Sequence, residues 1–513
     1  MFAIILCAPQ ITPLPQHMTI LNSTFMYVGP LQWSCKSNGV DCLGLIINQV
    51  DLYTKTMFAK GVPAPKSAQV TKLVITLLST DVPQSPQEEF YNITVNSSSI
   101  NVFAPDTYSL SRALSTVVQL IQEAPGDEYK KGLYSIMQVE IQDASAYSFR
   151  ELMLDPSRHY LPVSTFKRQL NAMALTKFNV LHIHLTDTQS IAFAPETAPA
   201  DKFQNSAFYN GGFFRLSKAD MTEISSYANS LGIHIMIEYD MPGHATSWKK
   251  ANAKLVANCP THGFTSVNPI NEDLFTYINA FLTDIIDAVY TKLEKTPLIH
   301  LGGDEVDHGC WNEDPEISSY MQKNGINTTL LWQQFHARVS QLVQKLSPNA
   351  TRFYWQESYE NQNEMKNAVV HAWYNVDVVA KATRNGYKVV RSFGWYLDQQ
   401  KPGQQRYGIQ DTWQDFYVVD VLEGVEKAFK DNVMGGGACM WGEKVTDGNI
   451  DEQIWPRAVA VAEALWSAPS VRTINSVLKN RFQAAACMLV AGGIDTGAFI
   501  PSKPCIGDKG LRL

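Results

Sequence analysis

From Phe149 onward the chain repeats one pattern eight times: a short, nearly unbroken apolar run followed by a polar or amphipathic stretch. The runs are "FRELMLD" (149–155), "FNVLHIHL" (178–185), "IHIMIEYD" (233–240), "PLIHLGG" (297–303), "TRFYWQE" (351–357), "NAVVHAW" (367–373), "KVVRSFG" (388–394) and "VMGGGACMW" (433–441). Strands this apolar are buried on both faces, as in parallel sheets whose crossovers are helices. The stretches "KADMTEISSYANSLG" and "TTLLWQQFHARVSQLVQKL" have helical spacing and supply such crossovers. Eight units over some 365 residues suit a (β/α)8 barrel with loop insertions. An open doubly wound sheet is the competing arrangement, but no G-x-G-x-x-G follows any strand. Ahead of the barrel, "KLVITLLS" reads as a strand, 107–123 as a helix and "LYSIMQVEIQD" as a further strand. The expected organisation is therefore a smaller N-terminal α/β domain (1–145) that packs, and a (β/α)8 TIM barrel (146–513).

A barrel of this type places its chemistry at the C-terminal ends of several strands. The run ends here read "HIHLTDTQS", "EYDMPGH", "GGDEVDH", "YWQE", "HAWYN", "GWYLD" and "CMWGE". Carboxylates and aromatics converge on one rim, and that pairing suits carbohydrate: aromatic faces stack on sugar rings while carboxylates bind hydroxyls and move protons. The end of the fourth run, "GGDEVDH", is the most pointed. Neighbouring side chains on a strand face opposite ways, so Asp304 and Glu305 share a site only if the chain turns. Gly302 and Gly303 make such a turn possible. A carboxyl beside another carboxylate, partly shut from water, holds its proton more tightly and suits a general acid. A solvated acidic loop is the plainer reading of the pair. Two other classes compete. His182 and His184 resemble a metal-ligand pair of barrel hydrolases, with His244 and His300 available. Strand eight, however, offers no isolated Asp, so no metal is expected. A non-catalytic sugar-binding barrel would typically lack the Asp–Glu pair.

The formal net charge of −7 argues against a nucleic-acid partner. No apolar run reaches the ~18 residues of a membrane helix. Residues 1–8 are apolar but short for a secretory leader and lack a basic flank, so a cleaved leader and an ordinary N-terminus both stand. Sequons at Asn22, Asn92, Asn96, Asn327 and Asn349 favour the secretory route. The eight cysteines group suggestively as Cys35 with Cys42, Cys259 with Cys310 and Cys487 with Cys505, leaving Cys7 and a Cys439 that reads as a buried thiol. Spacing alone does not prove bridges, and eight reduced cysteines in a cytosolic protein is the alternative.

The runs "HLGGDEV" (300–306), "DMPGH" (240–244) and "ACMWGE" (438–443) resemble the family 20 glycoside hydrolases, the β-N-acetylhexosaminidases, and the lysosomal type most. "RELMLDPSRHYLPV", "KFNVLHIHLTDTQS", "YWQE", "GWYLD" and "WPRAVAVAEALWS" fit the same pattern, so the likeness covers nearly all of 149–505. The resemblance implies an exo-acting, retaining glycosidase that removes terminal β-linked GlcNAc or GalNAc. In that mechanism the substrate's own acetamido oxygen is the nucleophile, through an oxazolinium intermediate and without a cofactor. It implies Glu305 as general acid and then base, Asp304 as the acetamido-orienting group and Tyr396 as a hydrogen-bond donor to its oxygen. Trp355, Trp373 and Trp441 would wall the pocket, and Arg150, Asp398 and Glu443 would hold ring hydroxyls. Asp187 and His244 would support Glu305 from behind. The family pattern pairs Cys259 with Cys310, and the other two bridges fit. It also implies a homodimer in the secretory pathway, either secreted or in a lysosome or vacuole. Three positions depart from the family. Ile183 stands where a Trp is usual and Thr188 where a second Asp is frequent, which would alter the wall near Asp187. Gln399 stands where some relatives carry a basic residue, which favours neutral substrates.

Overall fold

The computed structural model describes residues 9–59, 61, 67–124, 132–206, 214–290, 295–361, 367–398, 412–497 and 505. The possible leader, Cys7 and Gln399 lie outside them. Seven strands come first: β1 (His17–Ser37), β2 (Val40–Asp41), β3 (Val70–Leu77), β4 (Phe90–Val95), β5 (Ser99–Ala104), β6 (Gln122–Glu123) and β7 (Tyr134–Ala144). They form one mixed sheet in the order β2-β1-β3-β5-β4-β7-β6, and the long β1 also pairs with β7. The helices Ile47–Met57 and Thr107–Leu120 accompany it. The segment that reads as a helix over 107–123 thus ends in a short strand. Ile121 turns to extended backbone there, and β6 joins the edge of β7.

The next strand opens at Phe149. Strands β8 (Phe149–Leu154), β9 (Val180–His184), β10 (Phe193–Ala194), β11 (Leu216–Ser217), β12 (His234–Glu238), β13 (Leu298–His300), β14 (Thr351–Trp355), β15 (Ala368–Ala372), β16 (Lys388–Arg391) and β17 (Val433–Met440) follow. All but the small β10–β11 pair join in a closed parallel barrel, β12-β13-β14-β15-β16-β17-β8-β9. Each of the eight apolar runs supplies one barrel strand. Helices lie between them at the expected places, including Lys218–Ser230 and Thr328–Leu346. The first begins with a reciprocal cap in which Ser217 and Asp220 satisfy each other's backbone N–H groups. Asn327 caps the second through Leu330 N–H, 2.8 Å away.

Inside the barrel the side chains stack in layers. Phe149, Val180, Met236, Leu298, Phe353, Val369 and Val390 form a dry floor near the strands' N-terminal ends. Two residues further along, each strand points inward again. That second layer includes Glu151, His182, Glu238, His300, Trp355 and His371, none more than 1% exposed. Branched apolar residues usually fill such a layer. Here it is charged and must be internally paired.

Below the floor, buried ion pairs fasten the sheet to the barrel. Glu89, just before β4, accepts from Arg112 Nε at 3.1 Å and from the Arg150 guanidinium. Lys177 Nζ lies 3.1 Å from Asp143, which also accepts from Tyr91 and from the Trp466 indole at 3.0 Å. Burial pushes the Glu89 carboxyl up, but Arg112 and then Arg150 outweigh it and hold the group below its ordinary value. A lowered folded-state value contributes stability above the unfolded value, and that stability is lost as pH falls through the folded one. Glu89→Ala should therefore lower unfolding stability by about 3–5 kcal/mol in urea titrations, because it strands two buried guanidinium groups. Glu89→Gln should cost less and flatten the acid side of the stability–pH curve.

Candidate active site

The turn after β13 settles how two adjacent carboxylates share a site. Gly302 has φ +62°, Gly303 φ +102° and Glu305 φ +45°. A Cβ at Gly302 would lie 1.5 Å from the Asp240 carboxylate, so only glycine fits there. Asp240 fixes the turn by accepting from Gly303 N–H at 3.0 Å. Asp304 and Glu305 then face the same imidazole: His244 Nε2 lies 3.6 Å from Asp304 and 3.5 Å from Glu305. Asp304 is buried and Glu305 opens outward with its side chain 55% exposed. Burial among these rim groups raises the Glu305 carboxyl above its ordinary value, and Asp304 raises it further. His244 also stands at positive φ (+51°), and its Nδ1 lies 3.2 Å from Asp187. Burial disfavours its charged form, but Asp187 and then Asp304 outweigh that and hold it well above the usual imidazole range.

Around this pair stand the aromatics. Trp355 is 1% exposed, with its indole N–H 2.6 Å from Glu238. Trp441 lies 6.0 Å from it, centroid to centroid, and 5.0 Å from His184. Trp373 and Tyr396 lie 6.4 Å apart on the other side. Burial pushes the Tyr396 hydroxyl well up, so it remains a donor. Asp398 is pushed up to about 7, first by burial and then by the neighbouring Glu443.

Arg150 is not among these groups. It stands at the N-terminal end of β8, fully buried under the barrel, and donates to Lys177 O and Tyr147 O at 2.8 Å and to Glu89. The expectation that it holds ring hydroxyls is corrected for that reason: it is at the wrong end of its strand. The rim arginine is Arg158, four residues past the end of the same strand. It lies 4.9 Å over the Trp441 ring, 2.7 Å from Asp187 and 3.0 Å from Asp155. It stood in the quoted "DPSRHY", where its place beyond the strand end was the available signal. Glu357 and Gln356 were also missed as individual residues, within "YWQE". Glu357 accepts from the Trp373 indole at 3.0 Å and is pushed up to about 8, by burial and then by Asp304. Gln356 accepts from the backbone N–H groups of Trp373, Tyr374 and Asn375. Together they fix the Trp373 turn.

The histidines of the metal reading sit inside the barrel. His182 Nδ1 is 2.6 Å from Glu151 and its Nε2 3.0 Å from Glu238. His184 Nδ1 is 2.6 Å from Glu238 and its Nε2 2.9 Å from Asp187. Each ring thus lies between two carboxylates. Among the described residues three groups bring possible ligand atoms within 4.8 Å of one another, two of them through His182. Ile183, between the two histidines, packs outward into the helix layer, away from the pocket. It therefore does not alter the wall. Thr188 N–H bonds Asp187 at 2.5 Å and helps orient it.

The bridges Cys35–Cys42, Cys259–Cys310 and Cys487–Cys505 are formed, and Cys439 is a buried free thiol. Cys259–Cys310 ties down the segment just after Glu305. All five sequon asparagines are exposed. Among the described residues no helix is long and apolar enough to cross a membrane.

A family model described as "Glycosyl hydrolase family 20, catalytic domain" matches residues 147–469. Beta-hexosaminidase subunit A1 of Dictyostelium discoideum is 32% identical over 500 residues, spanning 96% of this chain and 90% of that protein. Beta-hexosaminidase subunit beta of Mus musculus is 31% identical over 448 residues, spanning 83% and 78%. Two solved structures share the fold. The β-N-acetylhexosaminidase of Streptomyces coelicolor A3(2) superposes with a TM-score of 0.74 at 22% identity, over 97% of this chain and 99% of that one. The exo β-N-acetylglucosaminidase of Vibrio harveyi gives 0.79 at 19%, over 96% and 78%. Carboxylates at the C-terminal rim of a parallel barrel, a matching catalytic-domain model and relatives along nearly the whole length agree: the chain is a glycoside hydrolase and belongs to glycosyl hydrolase family 20.

Proposed function

We propose that the chain is an exo-acting β-N-acetylhexosaminidase that releases terminal β-linked GlcNAc or GalNAc with retention of configuration. The observation that carries this is the 302–305 turn, which presents one buried and one open carboxylate to a single imidazole on a rim that also carries aromatics. Glu305, its proton held by the surroundings, protonates the glycosidic oxygen. The 2-acetamido oxygen attacks the anomeric carbon as that bond breaks, giving an oxazolinium ion. Asp304 accepts from the acetamido N–H and balances the positive charge that grows there. Tyr396 donates to the acetamido oxygen and holds it in line. Glu305, now ionised, takes a proton from water, which adds from the face the leaving group vacated. Two inversions give retention. Trp373 and Trp441 line the sugar, Trp355 floors the acetamido pocket, and Arg158, Asp398 and Glu443 meet the ring hydroxyls. Asp187 holds His244, which in turn positions Glu305. We place the division between the sheet domain and the catalytic barrel at 145/146.

Neutral glycans are the proposed substrates, from Gln399. Three disulfides and five exposed sequons support a secreted or lysosomal or vacuolar location. A homodimer is proposed, supported by relatives named as subunits and by an exposed apolar strip. That strip is formed by Val418, Val471, Ile474 and Val477, with the Arg472 side chain joined to Tyr417 O at 2.7 Å.

Hydrolysis of paired aryl β-glycosides, with the product anomer followed by NMR, tests the reading. GlcNAc or GalNAc substrates should give the β-anomer first. The glucose analogue, which lacks the internal nucleophile, should react roughly a thousandfold or more slowly. Comparable rates on glucose would overturn the mechanism. Asp304→Asn should lower kcat by about a hundredfold or more while changing KM little, since its partner charge exists only in the transition state.

The two arginines separate cleanly. Arg158→Met should raise KM about tenfold, whereas Arg150→Met should lower Tm and leave KM near wild type. Rate should fall as pH rises through the raised Glu305 value, because the general acid works only while protonated. That places the falling limb above the ordinary carboxylate range, read from a kcat–pH profile.

A further inference from the structure

The charged layer inside the barrel connects to the rim. Glu151 lies 2.6 Å from His182 Nδ1, whose Nε2 lies 3.0 Å from Glu238. Glu238 lies 2.6 Å from His184 Nδ1, and His184 Nε2 lies 2.9 Å from Asp187. Asp187 lies 3.2 Å from His244 Nδ1, and His244 Nε2 lies 3.5 Å from Glu305. Carboxylate and imidazole alternate along the whole run. From Glu151 to Asp187 no member is more than 1% exposed, so water does not screen the charges.

We propose that Glu151 is a positioning residue that sets the proton affinity of Glu305 through this buried carboxylate–imidazole ladder. The inference deepens the proposed hydrolase reading and rests on it. Glu151 is the inner terminus of the ladder, and its place is fixed by the seam between β17 and β8. It is in register with Gly437, and a Cβ at Gly437 would lie 2.8 Å from the Glu151 carboxyl. The Glu151 side chain therefore uses the space left by a strand position with none.

The sign follows from the pairing. With Glu151 neutral, His182 loses a carboxylate and sheds its charge. Glu238 is then left to His184 and His300, and holds His184 more firmly. His244 is charged in either case, so what changes is how firmly the freer Asp187 fixes it, and a more fixed imidazolium facing Glu305 favours the ionised form of Glu305. The other groups facing the two ends stay in place. These are His300, His371 and Cys439 around Glu151, and Asp304, Arg158 and Asp187 around Glu305, with Glu357 beyond Asp304. A purely architectural Glu151 would instead lower Tm, with kcat reduced by the same factor at every pH.

The kcat–pH profile of the full chain on an aryl β-GlcNAc substrate distinguishes these. Glu151→Gln should move the alkaline limb to lower pH by about half a unit or more. It should also lower kcat about tenfold with KM within roughly twofold. Glu151→Asp, which keeps the charge, should hold the limb at its wild-type place. His182→Gln should move it in the same sense as Glu151→Gln, and is the deciding variant if Glu151→Gln does not fold. An unmoved limb in the neutral variant, whatever its Tm, overturns the inference. A wild type that does not hydrolyse the substrate overturns the activity itself, and this inference with it.

Discussion

The second layer inside the barrel is charged, and that constrains everything above it. Burying an unpaired carboxylate or imidazolium costs several kcal/mol even after relaxation, so the charged members of the layer are tolerable only when paired, whereas burial keeps His371 neutral. Glu238 shows how tightly the set is tied. It meets His182, His184, His300 and the Trp355 indole. Burial pushes its carboxyl up, but His184 and then His300 outweigh burial and hold it well below the usual range. Trp355 cannot turn without leaving this carboxylate. This indole is thus positioned by the same charges that fill the barrel's centre.

The rim inherits its geometry from backbone constraints of a different kind. Asp240 occupies the space where a side chain at residue 302 would lie, and its carboxylate receives Gly303 N–H. On the facing turn, a Cβ at Gly243 would lie 2.8 Å from Asp304 O. The 240–244 and 302–305 turns therefore mesh through missing side chains. This mutual fit makes the left-handed conformations of His244 and Glu305 tolerable, although each carries strain on its own. The turn gives two adjacent acids different surroundings: one is enclosed against the imidazole and the other is open to solvent.

Beneath the barrel the same residue types do different work. Arg150 and Arg158 lie eight positions apart on one strand and its outgoing loop. One is locked to Glu89 at the floor side and the other stacks on Trp441 at the rim. Nothing in the residue type separates them. Position relative to the strand's end does, because a parallel barrel has one chemically active rim and one structural base.

The sequence by itself determined the barrel, the order of its eight strands and the rim on which Asp304, Glu305, Asp187, His244 and the tryptophans gather. Apolar runs buried on both faces admit few arrangements, and polar residues at run ends can only converge on one side. The bridges were legible as groupings, although pairing needed the fold. The tertiary structure alone decided what depends on side-chain direction across strands distant in sequence. It put Arg158 rather than Arg150 at the rim, turned Ile183 outward and tied the Trp355 indole to Glu238. It also assembled Glu151, His182, Glu238 and His184 into one charged ladder. No local pattern announces such a ladder, because its members come from three different strands that meet only when the barrel closes.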